Sequence, residues 1–550
     1  MTTPDLPDQA TDAFPVTWEE PADAERSWER DDMHMPFALT PLASEYVRVI
    51  SHGMNLAPDL FGGFPQRWHA RVWNGYAYFT RDANVADSER AAVADRWVAV
   101  SKERAAVTEA YWLDEVLPEV QALEATLRET PVDMLPRIDL ARAWDQAWAM
   151  TERLWQLHFL AIIGPYQILE DLADLYESVV PGASPGESLR LVQGTRSELL
   201  EVELGMERLA AAVLERPAVR DALLARLASV NAYPDRLTPD ELAGLDEGPS
   251  FLAELGAFLA RHGHLGQGFD DLDLASWAED PALLLAQLGM RLARPPESAE
   301  ARLVRLEFEA RALADAIRLR LTDRPDDLAR FEEILRLARA IGPLTEIHNY
   351  WIDRMAQARI RAFSMRIGRR LIEAGCIDAE DDILFLDRAE IRSLIERAVD
   401  SRGLVADRRA AHGRHRMMTP PRTLGPARTG PVDRFDGDRF VSSEADTLRG
   451  TGASAGIARG PARVTLSPAD FGRINAGDII VCPSSNPSWV PVFTIASGLV
   501  TNTGGILSHA AVVAREFGLP AVVGTGDATS RIADGRIVEI DGTTGSVRLL

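Results

Sequence analysis

Residues 503 to 524 read TGGILSHAAVVAREFGLPAVVG, and few local structures accommodate that order. Gly504 and Gly505 lack a Cβ, which lets backbone approach a ligand closely. Ser508 is a good N-cap, Ala510 to Phe517 can form a helix, and Gly518 can stop it. The apolar run that follows reads as a strand. His509 therefore falls in the first turn of a helix, where unpaired amide N–H groups and the helix dipole favour an anion. The same field disfavours imidazolium and keeps the ring neutral and nucleophilic. This suits a histidine that carries a phosphoryl group, with Gly504, Gly505, Ser508 and Arg515 as its surroundings. The alternative is a histidine that only caps a helix.

Gly504 to Gly524 resembles the phosphohistidine signature of the phosphoenolpyruvate-utilising enzymes, which include phosphoenolpyruvate synthase, pyruvate phosphate dikinase and rifampin phosphotransferase. The resemblance extends through Gly452-Ala453-Ser454-Ala455-Gly456, Gly460, the run Ala476 to Val481 and Pro487-Ser488-Trp489, and ends at Asp541-Gly542 and Gly545. It implies an α/β swivelling phosphohistidine domain over residues 451–550. Leu507 stands where the dikinases usually have a threonine that some of them use for regulation. In this the chain resembles the rifampin-type and aryl-phosphate-forming branches.

The 550 residues suffice for two or three domains. With 59 basic and 83 acidic residues, the net charge of -24 opposes nucleic-acid binding, which needs a basic surface. Cys376 and Cys482 lie far apart and form neither a disulfide framework nor a zinc spacing, so a reducing cytoplasm is expected. No apolar run approaches the length of a membrane span, and the N-terminus does not read as a signal peptide.

Residues 1–30 read as an acidic lead-in, although Trp18 and Trp28 suggest that parts of it pack down. His34 reads as a capping or surface histidine. Arg71 to Phe79 predicts a β-hairpin turning at Asn74-Gly75. From about 85 to 400, apolar residues recur at three- and four-residue spacing, the pattern of helices. Trp144, Trp148, Trp155 and His158 fall on one helical face. They form either a core stripe or an aromatic wall for an apolar substrate. The stretch Arg261 to Asp271 places His262, His264, Asp270 and Asp271 in a glycine-rich loop, followed by Trp277. That loop is a candidate general base, a candidate metal site, or a structural tie between helices. Glu346 to Asp353 opens a helix carrying Arg354, Arg359 and Arg361, which can clamp phosphoryl oxygens or form an exposed ion-paired face. Residues 376–386 resemble the acidic turn and apolar strand that precede the swivelling domain in rifampin-type phosphotransferases. The Gly263 and Trp277-to-Pro281 region also resembles their helical substrate domain, and Glu346 to Asp353 resembles the matching subunit of phenylphosphate synthase. Residues 401–450 read as a linker, rich in arginine, proline and glycine and locally basic.

The expected architecture is multidomain. A mainly α-helical substrate domain (31–400) precedes the linker and the C-terminal α/β swivelling phosphohistidine domain. The resemblance implies that a separate ATP-binding subunit of the ATP-grasp type, working with ATP and Mg2+, charges His509. The group then passes to the hydroxyl of a small apolar or aromatic alcohol or phenol, as in phenylphosphate synthase. His509, His262 and His264 are the candidate catalytic residues. Trp144, Trp148, Trp277, His348, Asp270 and Asp271 are the candidate substrate-binding residues, and the last two with His348 can support the base or a magnesium ion. The alternative is a phosphocarrier or regulatory binding protein whose helical domain docks a protein partner.

Overall fold

The computed structural model describes the chain apart from residues 1–13, 33, 61–65, 84–85, 87, 184–185, 229–236, 267–271, 294, 296, 427–445, 467, 486–488, 494 and 507. Asp270, Asp271, Leu507 and most of Pro487-Ser488-Trp489 thus lie outside the described residues.

Helices dominate from Pro41 to His415. The longest, Arg137–Val179, runs 43 residues and carries apolar residues around most of its circumference, so it is buried on several sides. Pro41–Leu60, Arg90–Tyr111 and Pro325–Ile341 pack against it. Trp144, Trp148 and Trp155 are all enclosed in the resulting core. A second, separate core forms where Glu198–Leu214, Pro217–Ala228, Gly248–His262 and Pro281–Ala293 meet, around Phe251, Leu255, Leu284 and Leu288.

The hairpin forms as the sequence predicts, between Gln66–Trp73 and Tyr76–Ala83. Its turn has positive φ at both central residues, 49° at Asn74 and 80° at Gly75, the geometry that Asn-Gly adopts most readily. Strand Trp28–Arg30 extends this sheet and pairs on its far side with Thr423–Leu424. The lead-in is therefore partly folded: Phe14 and Trp28 are buried against Trp73, Tyr76 and Tyr78.

Two local expectations change. Within 401–450, Arg402–His415 is a helix rather than a linker. Only Val405 is buried there, so no apolar period marks it. Ion pairs and a ring contact hold the helix instead: Arg408 bonds Glu390, and Arg409 bonds Asp382 at 2.6 Å while lying 4.3 Å over the Phe385 ring. Arg402, Arg408 and Arg409 thus meet acidic neighbours within the chain. Residues 380–385 form a 3-10 turn, not a strand, because Asp382 accepts the N–H groups of Asp378 and Ala379 and curls the chain.

The C-terminal region is an eight-stranded sheet in the order Thr447–Arg449, Ser546–Leu549, Ile537–Asp541, Ile457–Val464, Ile479–Cys482, Gly498–Thr501, Ala521–Val523, Thr451–Ser454. The strands from Ile457–Val464 to Ala521–Val523 run parallel. Helix His509–Phe517 is the crossover between the adjacent parallel strands Gly498–Thr501 and Ala521–Val523. His509 follows the carboxyl end of the first of these strands, where open α/β sheets place their ligands.

Candidate phosphohistidine site

The loop before His509 is tightly specified. Thr503 donates from both its N–H and its hydroxyl to the Pro483 carbonyl, each at 3.1 Å. Gly504 has φ 109°, and a Cβ there would sit 2.7 Å from the Ser508 hydroxyl oxygen. Ser508 takes the extended N-cap conformation, but its hydroxyl donates to the Gly505 carbonyl at 2.8 Å instead of capping the helix. The helix starts at His509 and ends at Gly518, whose φ of 62° is the left-handed stop that glycine favours.

His509 is buried, and its Nδ1 lies 2.9 Å from Oε2 of Glu346. Glu346 is equally buried, in the short helix Leu344–His348 of the helical region. This pair joins the C-terminal sheet region to the helical region. Against an ionised carboxylate Nδ1 is the donor, which leaves Nε2 with its lone pair.

A cavity of about 130 Å³ lies between the helical region and helix His509–Phe517, with Glu346 but not His509, His262 or His264 in its wall. Its wall includes Leu199, Met206, Leu265, Trp277, Glu346 and Val513. Buried charges border it: Arg302 and Arg291 pair with Glu203, and Arg302 lies 4.1 Å over the Phe517 ring. Burial lowers the Arg302 and Arg515 guanidinium pKa values to about 10. Burial, reinforced by the nearby Glu346 carboxylate, raises Glu516 to about 7.

The structure distributes the sequence candidates unevenly. Trp277 lines the cavity; Trp144 and Trp148 do not. Those two stack edge to face at 5.7 Å in the main core, with the Trp144 indole donating to the Arg388 carbonyl. Arg515 sits in the cavity wall and donates to the Ala453 carbonyl at 3.1 Å, two turns along the helix from His509. His262 ends helix Gly248–His262, with Nδ1 2.9 Å from the Tyr350 hydroxyl, and the His264 ring meets the Tyr350 ring edge-on at 4.5 Å. His34 bonds Asp31 at 2.9 Å. Arg359 pairs with Glu124, and Arg361 with Glu279, but Arg354 and Arg361 are buried, so this helix does not present an exposed ionic face.

His348 belongs to a buried group with His158 and Asp353. Nδ1 of His158 is 2.5 Å from one Asp353 oxygen, and Nε2 of His348 is 3.8 Å from the other. Glu346 and Asp353 are the residues that the sequence reading passed over, although both lie in the stretch it singled out. Two imidazoles with one carboxylate do not fit Mg2+, which takes oxygen ligands.

Burial lowers the pKa of His158 and His264 to about 3 and of His262 and His348 to about 4. These rings are neutral at pH 7, while an unfolded chain would protonate them near pH 6.5. The stability they contribute is therefore present above pH 6.5 and lost as the pH falls towards 4, by about 1.4 kcal/mol per pH unit for each ring that stays neutral. Asp353, raised to about 6, and Glu516 act in the opposite sense and offset part of this. We expect the melting temperature at pH 4.5 to fall well below that at pH 7. An equal or higher value would contradict neutral burial of the four rings.

Among known sequences, residues 474–545 match the family model described as "PEP-utilising enzyme, mobile domain". Residues 166–346 match "Rifampicin phosphotransferase fourth domain". The chain is 32% identical to chondramide synthase of Chondromyces crocatus over 98% of its own length and 14% of that protein. It is 34% identical to rifampicin phosphotransferase of Streptomyces sviceus over 56% of its length and 36% of that enzyme. An uncharacterized phosphotransferase of Bacillus subtilis is 27% identical over 72% of this chain and 47% of its own. The chain thus spans less than half the length of each of these relatives. The mobile-domain match contains His509 and the fourth-domain match ends on Glu346, so the two matches meet at the buried pair. Over these two segments the chain is similar to the phosphoenolpyruvate-utilising enzymes.

Proposed function

We propose that this chain is the phosphoryl-carrying and acceptor-binding part of an ATP-dependent, dikinase-type phosphotransferase. The observation that carries this reading is the buried His509–Glu346 pair, which closes a carrier histidine onto a helical region at the edge of an apolar cavity. In the first half-reaction, Nε2 of His509 attacks a nucleotide phosphorus delivered by a separate ATP-binding subunit, and the P–O bond breaks. ATP and Mg2+ belong to that partner. In the second, the carrier docks as seen here, an acceptor hydroxyl oxygen attacks the phosphorus, and the N–P bond breaks. Dividing one transfer into two covalent steps lowers the barrier of each.

The acceptor is a small apolar or aromatic alcohol or phenol held in the cavity. Leu265 and Trp277, which bracket the loop after His262, are among its walls. His262 or His264, next to Leu265 of the cavity wall, takes the hydroxyl proton in this reading, although burial lowers both pKa values and weakens them as bases. A largely apolar cavity at the carrier interface suits a small acceptor better than a docked protein.

The test incubates the purified chain with a lysate of its source organism and ATP labelled at the β- or the γ-phosphate. Acid-labile label from the β-position is expected on this chain. Absence of label from both positions would overturn the reading.

A further inference from the structure

We propose that His158, His348 and Asp353 form a binding site for one divalent transition metal ion of the zinc class. The three residues come from two separate parts of the chain. His158 projects from the long helix Arg137–Val179, while His348 precedes and Asp353 ends the turn Asn349–Asp353. That turn is a π-helix, in which Arg354 N–H bonds the carbonyl of Asn349, five residues back. In an α-helix, residues five apart diverge by about 140° around the axis. The wider π-turn brings His348 and Asp353 towards one face, and such single π-turns concentrate at functional sites.

His158 Nδ1 meets Asp353 Oδ1 at hydrogen-bond distance, 2.5 Å, and a bound ion would have to part this pair; the His348 contact is different. Nδ1 of His348 is held at 2.6 Å by the Leu344 carbonyl, which fixes that nitrogen as the donor and turns Nε2, with its lone pair, towards Asp353. A backbone carbonyl on the outer nitrogen is the usual support of a metal-bound histidine. At 3.8 Å, Nε2 is too far from the carboxylate for a hydrogen bond. It is close to the spacing of two ligands on one tetrahedral ion, about 3.3 Å for bonds near 2.0–2.1 Å. One ligand atom from each residue lies within 4.8 Å of the others, and all three side chains are buried. Two imidazole nitrogens and a carboxylate oxygen suit zinc, cobalt or nickel and leave a fourth position open.

The site stands independently of phosphoryl transfer, and its test reads binding alone. The full chain, stripped with a chelator, is titrated with Co2+ and followed by visible absorption, with Zn2+ and Mg2+ as competitors. One Co2+ per chain with a ligand-field band is expected, displaced by Zn2+ and not by millimolar Mg2+. Asp353→Asn and His348→Gln should each weaken binding at least about tenfold and remove the band. X-ray absorption of the zinc-loaded wild-type chain, which needs no variant to fold, should show two imidazole ligands. Absence of stoichiometric binding, a band that survives both substitutions, or a zinc shell without imidazole would overturn the proposal.

Discussion

Replacing His509 with alanine is expected to abolish phosphoryl transfer, with a loss of at least about 10^4-fold and no acid-labile label on the chain. The size follows from the position of the ring. It is the first residue of a helix whose N-terminal amides stand ready for an anion, behind a loop locked by Gly504 and Thr503. Among the described residues no second nucleophile shares that geometry, because Ser508, the adjacent hydroxyl, is turned back onto the Gly505 carbonyl. The alanine variant also leaves the buried Glu346 carboxylate with only the longer 3.5 Å contact from the Asn349 amide, which costs about 1–3 kcal/mol and lowers the melting temperature. His509→Gln separates the two effects. Its amide can still donate to Glu346 but cannot carry phosphoryl. Both variants should be inactive, with glutamine the more stable of the two. Label retained on either one would show that another residue is the carrier.

The loop and helix around His509 were legible because their signals are local. Glycines, the N-cap and the histidine lie within about ten residues of one another, and each constrains backbone directly. The hairpin was legible for the same reason, through Asn74-Gly75. What escaped depended on distance in sequence or on an unusual helix. Glu346 meets His509 across 163 residues, and no periodicity encodes that pairing. His158 looked like one more member of a tryptophan stripe until Asp353 came against it from 195 residues away. The π-turn at Asn349–Asp353 breaks the 3.6-residue rule by which faces are assigned from sequence. Helix Arg402–His415 was missed because ion pairs, and not an apolar face, hold it down. The tryptophans misled in the opposite direction. Trp144 and Trp148 mark the core of the helical region, and only Trp277 reaches the cavity.

Glu346→Gln is expected to divide the two half-reactions. Glu346 belongs to the helical region, so it can meet His509 only when the carrier is docked there. Charging of His509 should proceed at the wild-type rate. Discharge to the acceptor should slow by about 10²–10³-fold, the range for losing one buried charge-assisted contact to a reacting group. The reason lies in the leaving group. When Nε2 carries phosphoryl, protonation at Nδ1 lets the ring depart as neutral imidazole, and a carboxylate 2.9 Å away favours that protonated form. Glutamine keeps the shape but not the charge, so Nδ1 loses its proton more readily and the N–P bond becomes harder to break. The discharge rate of the variant should therefore decline with rising pH at a lower pH than in the wild type, a shift that a merely structural role would not produce. Glu346→Asp, which retains the charge on a shorter stem, should recover part of the rate. Rapid-quench measurement of label arriving on and leaving His509 distinguishes the cases. Equal slowing of both steps would mean that Glu346 supports the fold of the carrier interface and not the chemistry.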